Sequence, residues 1–363
     1  MPITAELKIP NSPVNKWFKE NLPDIRQLMA RWIAQVPRET IRPATKNSRS
    51  YPWPTVGYAS EYWLRQAMGA KFMGTMPSKI PLLGKALEEN DPQWATWHTN
   101  VELLCRTIDV NWLAYQRGMT SREDNAWALY WAGICEGVLR GWKPNQEPSQ
   151  NLHRLNELSN LLRKEDFKQQ FHVPGNIIQD IVNLSELSLC GDLDEIIQNL
   201  GSHVIVDNPI MSNGKIIGGA DGDVIVEDMY LDIKTTTDPK RDLEYHLKEI
   251  LSYVALDGND GYRMRQIGIL YVRQNGAVVS IDVGDALKLA GSTIRSVPEM
   301  QASFEEMLMR DYVGAAEGIQ PVSQRRPPES EHQPTKDLSM TKTSPQAAGF
   351  IHGSRAGRGE ATK

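Results

Sequence analysis

The stretch Gly218-Gly219-Ala220-Asp221-Gly222-Asp223-Val224-Ile225-Val226-Glu227-Asp228-Met229-Tyr230-Leu231-Asp232-Ile233-Lys234-Thr235-Thr236 decides how the chain is read. It sets acidic residues at the start of one predicted strand and an Asp-x-Lys at the end of the next. Side chains alternate along a strand, so Asp232 and Lys234 share one face while Leu231 and Ile233 point to the other. A two-residue turn, Glu227-Asp228, joins the strands, and a hairpin of that length folds Asp223 back toward Asp232. Two carboxylates and a lysine converging on one sheet edge suit metal-dependent hydrolysis of a phosphodiester. Mg²⁺ or Mn²⁺ takes oxygen ligands, and Mg²⁺ keeps several waters. Asp223 and Asp232 supply two such ligands, and the backbone carbonyl of Ile233 a third. A bound metal polarises the phosphate and acidifies a water. Lys234 then orients that water and offsets charge building on the phosphate oxygens. The same residues also read as an exposed hairpin whose charges are solvated or paired at the surface, worth little energetically.

At 363 residues the chain is long enough for a substantial core. Its 40% hydrophobic and 23% charged residues are those of an ordinary soluble globular protein. A net charge of −5 argues against wholesale coating of nucleic acid but leaves room for a local basic groove. Cys105, Cys135 and Cys190 are too widely spaced for a zinc site or a disulfide framework, and are expected as reduced core thiols. The N-terminal residues lack the apolar region of a signal peptide, and no apolar run approaches a membrane span. The expected setting is cytoplasmic, bacterial or phage-like, and not secreted. The histidines show no His-x-x-x-His or His-Glu-x-x-His spacing, which counts against a zinc hydrolase.

The first half reads as helical. Helices are expected around Leu22 to Gln35, over Val56 to Met68, as two long helices within 90–141 (the second from Arg122 to Leu139), over Leu152 to Leu162 and over Asp180 to Leu189. The tryptophans here, Trp94, Trp97, Trp112, Trp127, Trp131 and Trp142, fit helix packing better than base stacking. The texture then changes to β-branched or alternating runs: Val204 to Asp207, Asp223 to Val226, Tyr230 to Lys234, Gln266 to Arg273 and Ala277 to Asp282. Between them, Leu243 to Leu256 is an amphipathic helix. Leu243, Leu247, Ile250, Leu251 and Val254 form its apolar stripe, and His246, Glu249 and Tyr253 a polar one. Beyond Gly318 large apolar residues are scarce, so a disordered tail is expected.

The order of these features resembles the PD-(D/E)XK nuclease superfamily, its RecB-like exonuclease branch in particular. Gly218-Gly219-Ala220-Asp221 fits that branch's Gly-x-x-Asp, and its Gly-x-Ala-Asp-x-Asp variants point to Asp223 as the ligand. Asp232-Ile233-Lys234 fits the core motif. Glu249-Ile250-Leu251-Ser252-Tyr253 fits the final Gln-x-x-x-Tyr, with Glu in place of Gln. Gly57-Tyr58-Ala59-Ser60-Glu61 has the spacing of the early Gly-x-x-x-(His or acid) helix.

The resemblance implies a restriction-endonuclease-like α/β core: a mixed β-sheet flanked by helices, with a large helical N-terminal portion. Residues 1–50 would be an extension. Residues 51–315 would be the nuclease-like domain, with a helical part 51–200 and a sheet core 201–290. Residues 316–363 would be the tail. It implies a Mg²⁺- or Mn²⁺-dependent, exonuclease-like deoxyribonuclease with Asp223, Asp232 and Lys234 as catalytic residues. Glu61, Asp223, Asp232 and Ile233 would be ligands. Asp221, Glu249, Tyr253, Lys240, Arg241 and Lys248 would support the site or meet substrate. DNA is the expected partner, with RNA as the alternative, and a helicase, recombination or oligomeric partner is not readable. Two rivals stand beside this reading. One is a nuclease-like fold that binds nucleic acid or protein without cutting, favoured by Glu249 and by the acidic pI. The other is a helical scaffold with an incidental hairpin, which requires Asp223 and Asp232 to lie far apart.

Overall fold

Five strands make one sheet in the computed structural model, which describes residues 3–43, 51–69, 108–140, 173–199 and 205–314. They are β1 (Ile205–Asp207), β2 (Val224–Val226), β3 (Met229–Lys234), β4 (Gln266–Tyr271) and β5 (Ala277–Asp282), and they neighbour one another in chain order. The strands β1, β2 and β3 form an antiparallel meander; β4 runs parallel to β3, and β5 antiparallel to β4. The sheet is therefore mixed, as expected.

Helices surround it: α1 (Ile3–Glu6), α2 (Pro13–Asn21), α3 (Ile25–Ile33), α4 (Trp53–Ala67), α5 (Arg122–Arg140), α6 (Gly175–Leu189), α7 (Asp192–Asn199), α8 (Leu243–Leu256), α9 (Val283–Leu289) and α10 (Val297–Leu308). Residues 108–116 are also helical. Parallel neighbours need a crossover connection, and α8 supplies it between β3 and β4.

Strand alternation divides the sheet's side chains between two cores. Val224, Val226, Leu231, Ile233 and Leu270 join the core built with α4, α5 and α6. Ile225, Tyr230, Ile267, Ile269, Tyr271 and Val279 join the core built with α2, α3, α8, α9 and α10. Because both faces are covered, β2 reads as the unbroken apolar run Val-Ile-Val and every residue of it is buried. Trp63 and Trp32 are fully buried, one in each core. The Trp32 indole N–H donates to the Tyr271 hydroxyl at 3.0 Å, which satisfies its polar edge.

The segment read as an N-terminal extension supplies Val14, Trp17, Phe18, Leu28 and Trp32 to the α8 core. The helix expected around Leu22 to Gln35 is present as α3, and α2, which was not expected, precedes it. Pro23 disfavours helical geometry at Leu22, which sits at φ −126°, ψ 62° and closes α2. Cys190, expected in the core, is exposed where α6 ends. Cys105, Trp94, Trp97, Trp142, the helix expected over Leu152 to Leu162 and the tail beyond Gly318 lie outside the described residues. No described helix is long and apolar enough to cross a membrane.

A fully buried arginine fixes the chain beyond β3. Arg273 pairs with Asp180 of α6 at 2.7 Å and donates to the Tyr51 hydroxyl at 3.1 Å. It also donates to the backbone carbonyls of Thr235 (3.1 Å) and Ile41 (3.2 Å). The Tyr51 hydroxyl in turn donates to Asp180. Removing one member of a buried ion pair costs about 3–5 kcal/mol because the other charge is stranded, whereas replacing both by apolar residues recovers much of it. In urea titrations Arg273→Met is expected to lose about that much stability, and Arg273→Met/Asp180→Leu to regain part of it. A loss under about 1 kcal/mol for the single variant would contradict the clamp.

Candidate active site

The β2–β3 register pairs Val224 with Leu231 and Val226 with Met229, leaving Glu227 and Asp228 as a two-residue turn with Glu227 at φ 58°. One more step along that register sets Asp223 opposite Asp232. The Asp223 carboxylate accepts the Ile233 backbone N–H at 2.8 Å through Oδ2. Its own N–H donates to the Tyr230 hydroxyl at 3.3 Å, and its carbonyl accepts from Asn208 N–H at 3.0 Å. Asp223 is thereby anchored from both neighbouring strands. The scaffold reading expects the two aspartates far apart, whereas the register sets them on neighbouring strands.

Gly222 makes this possible. A Cβ there would lie 2.4 Å from the Tyr230 ring, so only glycine lets the chain pass over the tyrosine. The Tyr230 ring packs 5.2 Å from that of Tyr253 on α8. Burial first, and then nearby carboxylates, keep both phenols well above the usual tyrosine range, so they stay neutral. Tyr253 thus supports Asp223 through Tyr230.

Asp232 and Lys234 share the α8-facing side of β3. The Lys234 ammonium lies 3.0 and 2.9 Å from the two Asp232 oxygens and 3.1 Å from Glu249 Oε2. Asp232 is only 3% exposed, and its Oδ2, though in ion-pair contact with Lys234, accepts no directed hydrogen bond. Burial pushes the Asp232 carboxyl well above the ordinary range. Lys234 pulls it back, while Asp223 and Glu249 push it further up. Burial also works against the Lys234 charge, but Asp232, Glu249 and Asp223 outweigh it and hold the ammonium well above the usual lysine range. Glu249 is the opposite case. Burial would raise it, yet Lys234 and then His246 bring its carboxyl down to about 2. His246 Nδ1 stands 3.7 Å from Glu249 Oε2, an electrostatic neighbour beyond hydrogen-bonding range.

The other predicted residues are placed as follows. Gly57 crosses the end of β3, where a Cβ would come 2.8 Å from Thr235 Oγ1. One turn on, Glu61 is bound to Arg65 at 2.9 Å, and Arg65 reaches Asp207 of β1 at 2.5 Å. Among the described residues no three His, Cys, Asp or Glu side chains form a group able to hold a metal. Ile233 offers its amide to Asp223 and its side chain to the core. Asp221 is exposed and bridges Ile210. Arg241 pairs with Asp242 at 3.3 Å and Lys248 with Glu244 at 2.7 Å, while Lys240 is exposed beside Asp238.

Sequence reading did not single out Tyr230, Gly222, Arg65 or the Arg273 clamp. For Arg65 a signal was present: it stands four residues after Glu61, the spacing of helical ion pairs. No family model matches the chain, and no similar protein was found among characterised proteins or solved structures.

The low Glu249 value sets a pH dependence. A carboxyl depressed from about 4.3 to about 2 contributes stability that is complete above the ordinary value and is lost as pH falls through the folded one. Glu249→Gln lacks that contribution throughout. Urea titrations at stepped pH are therefore expected to show the gap between the native protein and this variant closing as pH falls from about 5 to about 2. A gap that widens on acidification would contradict the assignment.

Proposed function

We propose that the chain is a divalent-metal-dependent deoxyribonuclease of the PD-(D/E)XK kind, exonuclease-like, with Asp223, Asp232 and Lys234 at its centre. One observation carries the reading. A short hairpin brings two carboxylates opposite each other, one of them buried, and sets a charged lysine on the buried one.

The residues fit a hard divalent cation. Asp232 Oδ2 is a buried carboxylate oxygen in ion-pair contact with Lys234 at 2.9 Å, and the charges of three carboxylates act on that one ammonium. Mg²⁺ typically binds through one or two carboxylates and fills its remaining positions with water and phosphate, so a pair of aspartates suffices. Asp223 and Asp232 would hold the ion, with the Ile233 carbonyl as a third donor. Bound there, it would supply Lewis-acid polarisation and an acidified water. Lys234 orients the attacking water and stabilises negative charge on the phosphate, in surroundings where a fixed charge acts strongly. Asp232 and Glu249 keep that ammonium protonated and aimed. Glu61 enters as a neighbour that shares the Arg65 guanidinium with Asp207.

The non-cutting reading is favoured by one observation: Lys234 is held between two carboxylates, and Glu249 carries a charge where the family pattern has an amide. Cleavage decides between them. Single- and double-stranded DNA incubated with Mg²⁺ is expected to be degraded, with no product in EDTA. Asp232→Asn and Lys234→Gln, checked for folding by circular dichroism, are expected to lose about 10²-fold or more of the rate, whereas Glu249→Gln retains cleavage. Undiminished activity in the first two variants would remove the assignment.

A further inference from the structure

Hydrolysis of a phosphodiester takes a proton from the attacking water, and the hairpin has no group free to receive it. The Lys234 ammonium lies 2.9 Å from Asp232 and 3.1 Å from Glu249. An ammonium so paired donates hydrogen bonds and accepts none. Asp223 and Asp232 are committed to the ion on the proposed reading.

Lys234 opens onto a cavity of about 580 Å³, and the titratable side chains that line it are Lys234, Arg241, Asp242 and His246. Arg241 is a cation, and Asp242 is a carboxylate paired with it at 3.3 Å. A carboxylate is a much weaker base than an imidazole. His246 is left, one turn into α8.

His246 and Lys234 meet the same atom. Glu249 Oε2 is 3.1 Å from the lysine ammonium and 3.7 Å from His246 Nδ1, so the two side chains are neighbours across one oxygen. Nδ1 is the buried ring nitrogen and has no hydrogen-bond partner. The side chain is nevertheless 17% exposed and lines the cavity, so the ring is open along its other edge, which carries Nε2. The carboxylate beside Nδ1 favours the tautomer with its proton on that nitrogen. The Nε2 lone pair is then left toward the cavity.

We propose that His246 is the general base of the hydrolysis, its Nε2 taking the proton of the water that attacks phosphorus. The water oxygen forms the new bond to phosphorus. The electron pair of the broken P–O bond leaves with the departing oxygen, which solvent protonates, and the imidazolium returns its proton to solvent. Lys234 keeps its charge throughout. This rests on the nuclease reading and adds to it a residue that the Asp-x-Lys pattern does not contain.

The test uses the full chain with labelled DNA in Mg²⁺, alongside His246→Ala and His246→Gln. Both variants are checked for folding by circular dichroism and for Mn²⁺ binding by calorimetry. They are expected to bind Mn²⁺ as the native chain does and to lose about 10²-fold or more of the cleavage rate, the usual share of general acid–base catalysis. Imidazole added to His246→Ala should restore part of the rate. The triazole 1,2,4-triazole, a ring of the same size and far lower basicity, should not. Native rates in the variants, loss of Mn²⁺ binding with the rate, equal rescue by both rings or rescue by neither would overturn the inference and leave the nuclease standing. Absence of cleavage by the native chain would sink the nuclease, and the inference with it.

Discussion

Lys234 is held at ion-pair distance by two carboxylates from different elements, and much of the molecule is arranged around that contact. Asp232 comes from its own strand, and Glu249 from the helix that carries the chain across to β4. A buried carboxylate without a partner is expensive, by several kcal/mol, so Asp232 and Glu249 both depend on this one ammonium. With Asp223 added, negative charge exceeds positive charge at the hairpin. Burial holds the Asp232 carboxyl up against the pull of Lys234, whereas at Glu249 Lys234 and His246 together outweigh burial. On the proposed reading, a divalent cation would complete the charge balance.

The lysine can be placed this way because the strand carrying it is fixed at both ends. The tight turn at Glu227 and Asp228 sets the register at its start. At its far end Val272 N–H donates to the Lys234 carbonyl, Arg273 takes the Thr235 carbonyl, and Gln274 takes that of Thr236. Gly57 lets α4 lie against Thr235 without a side chain between them. Helix α8 is equally constrained: its apolar stripe is wholly buried, so rotation would expose leucines in order to move Glu249. Packing on both faces of the sheet thus becomes positional precision at three charged atoms.

Much of this could be read from the residues because it follows from local periodicity. The apolar run 224–226, the alternation in 231–234 and the helical spacing in 243–256 each reflect an element packed into a core. The opposition of Asp223 and Asp232 then follows from the length of a two-residue turn. The reach of Glu249 was visible only as a polar stripe, since its contact needs the parallel crossover of α8. What escaped was long-range. Arg273 with Asp180, and Arg65 with Asp207, join residues far apart in the chain, and neither pair leaves a period in the sequence. Tyr230 looked like an ordinary strand aromatic, because its hydroxyl matters only once Gly222 brings the Asp223 backbone over its ring.

A partly buried charged lysine, a buried aspartate paired with it and a second aspartate across the hairpin together make a specific demand on solution chemistry. The most direct measurement is the anomalous diffraction of crystals grown or soaked in Mn²⁺. Density between the Asp223 and Asp232 carboxylates, with Lys234 still beside Asp232, is the predicted result. Crystals that take up Mn²⁺ only at surface carboxylates, with none between these two at saturating metal, would contradict it.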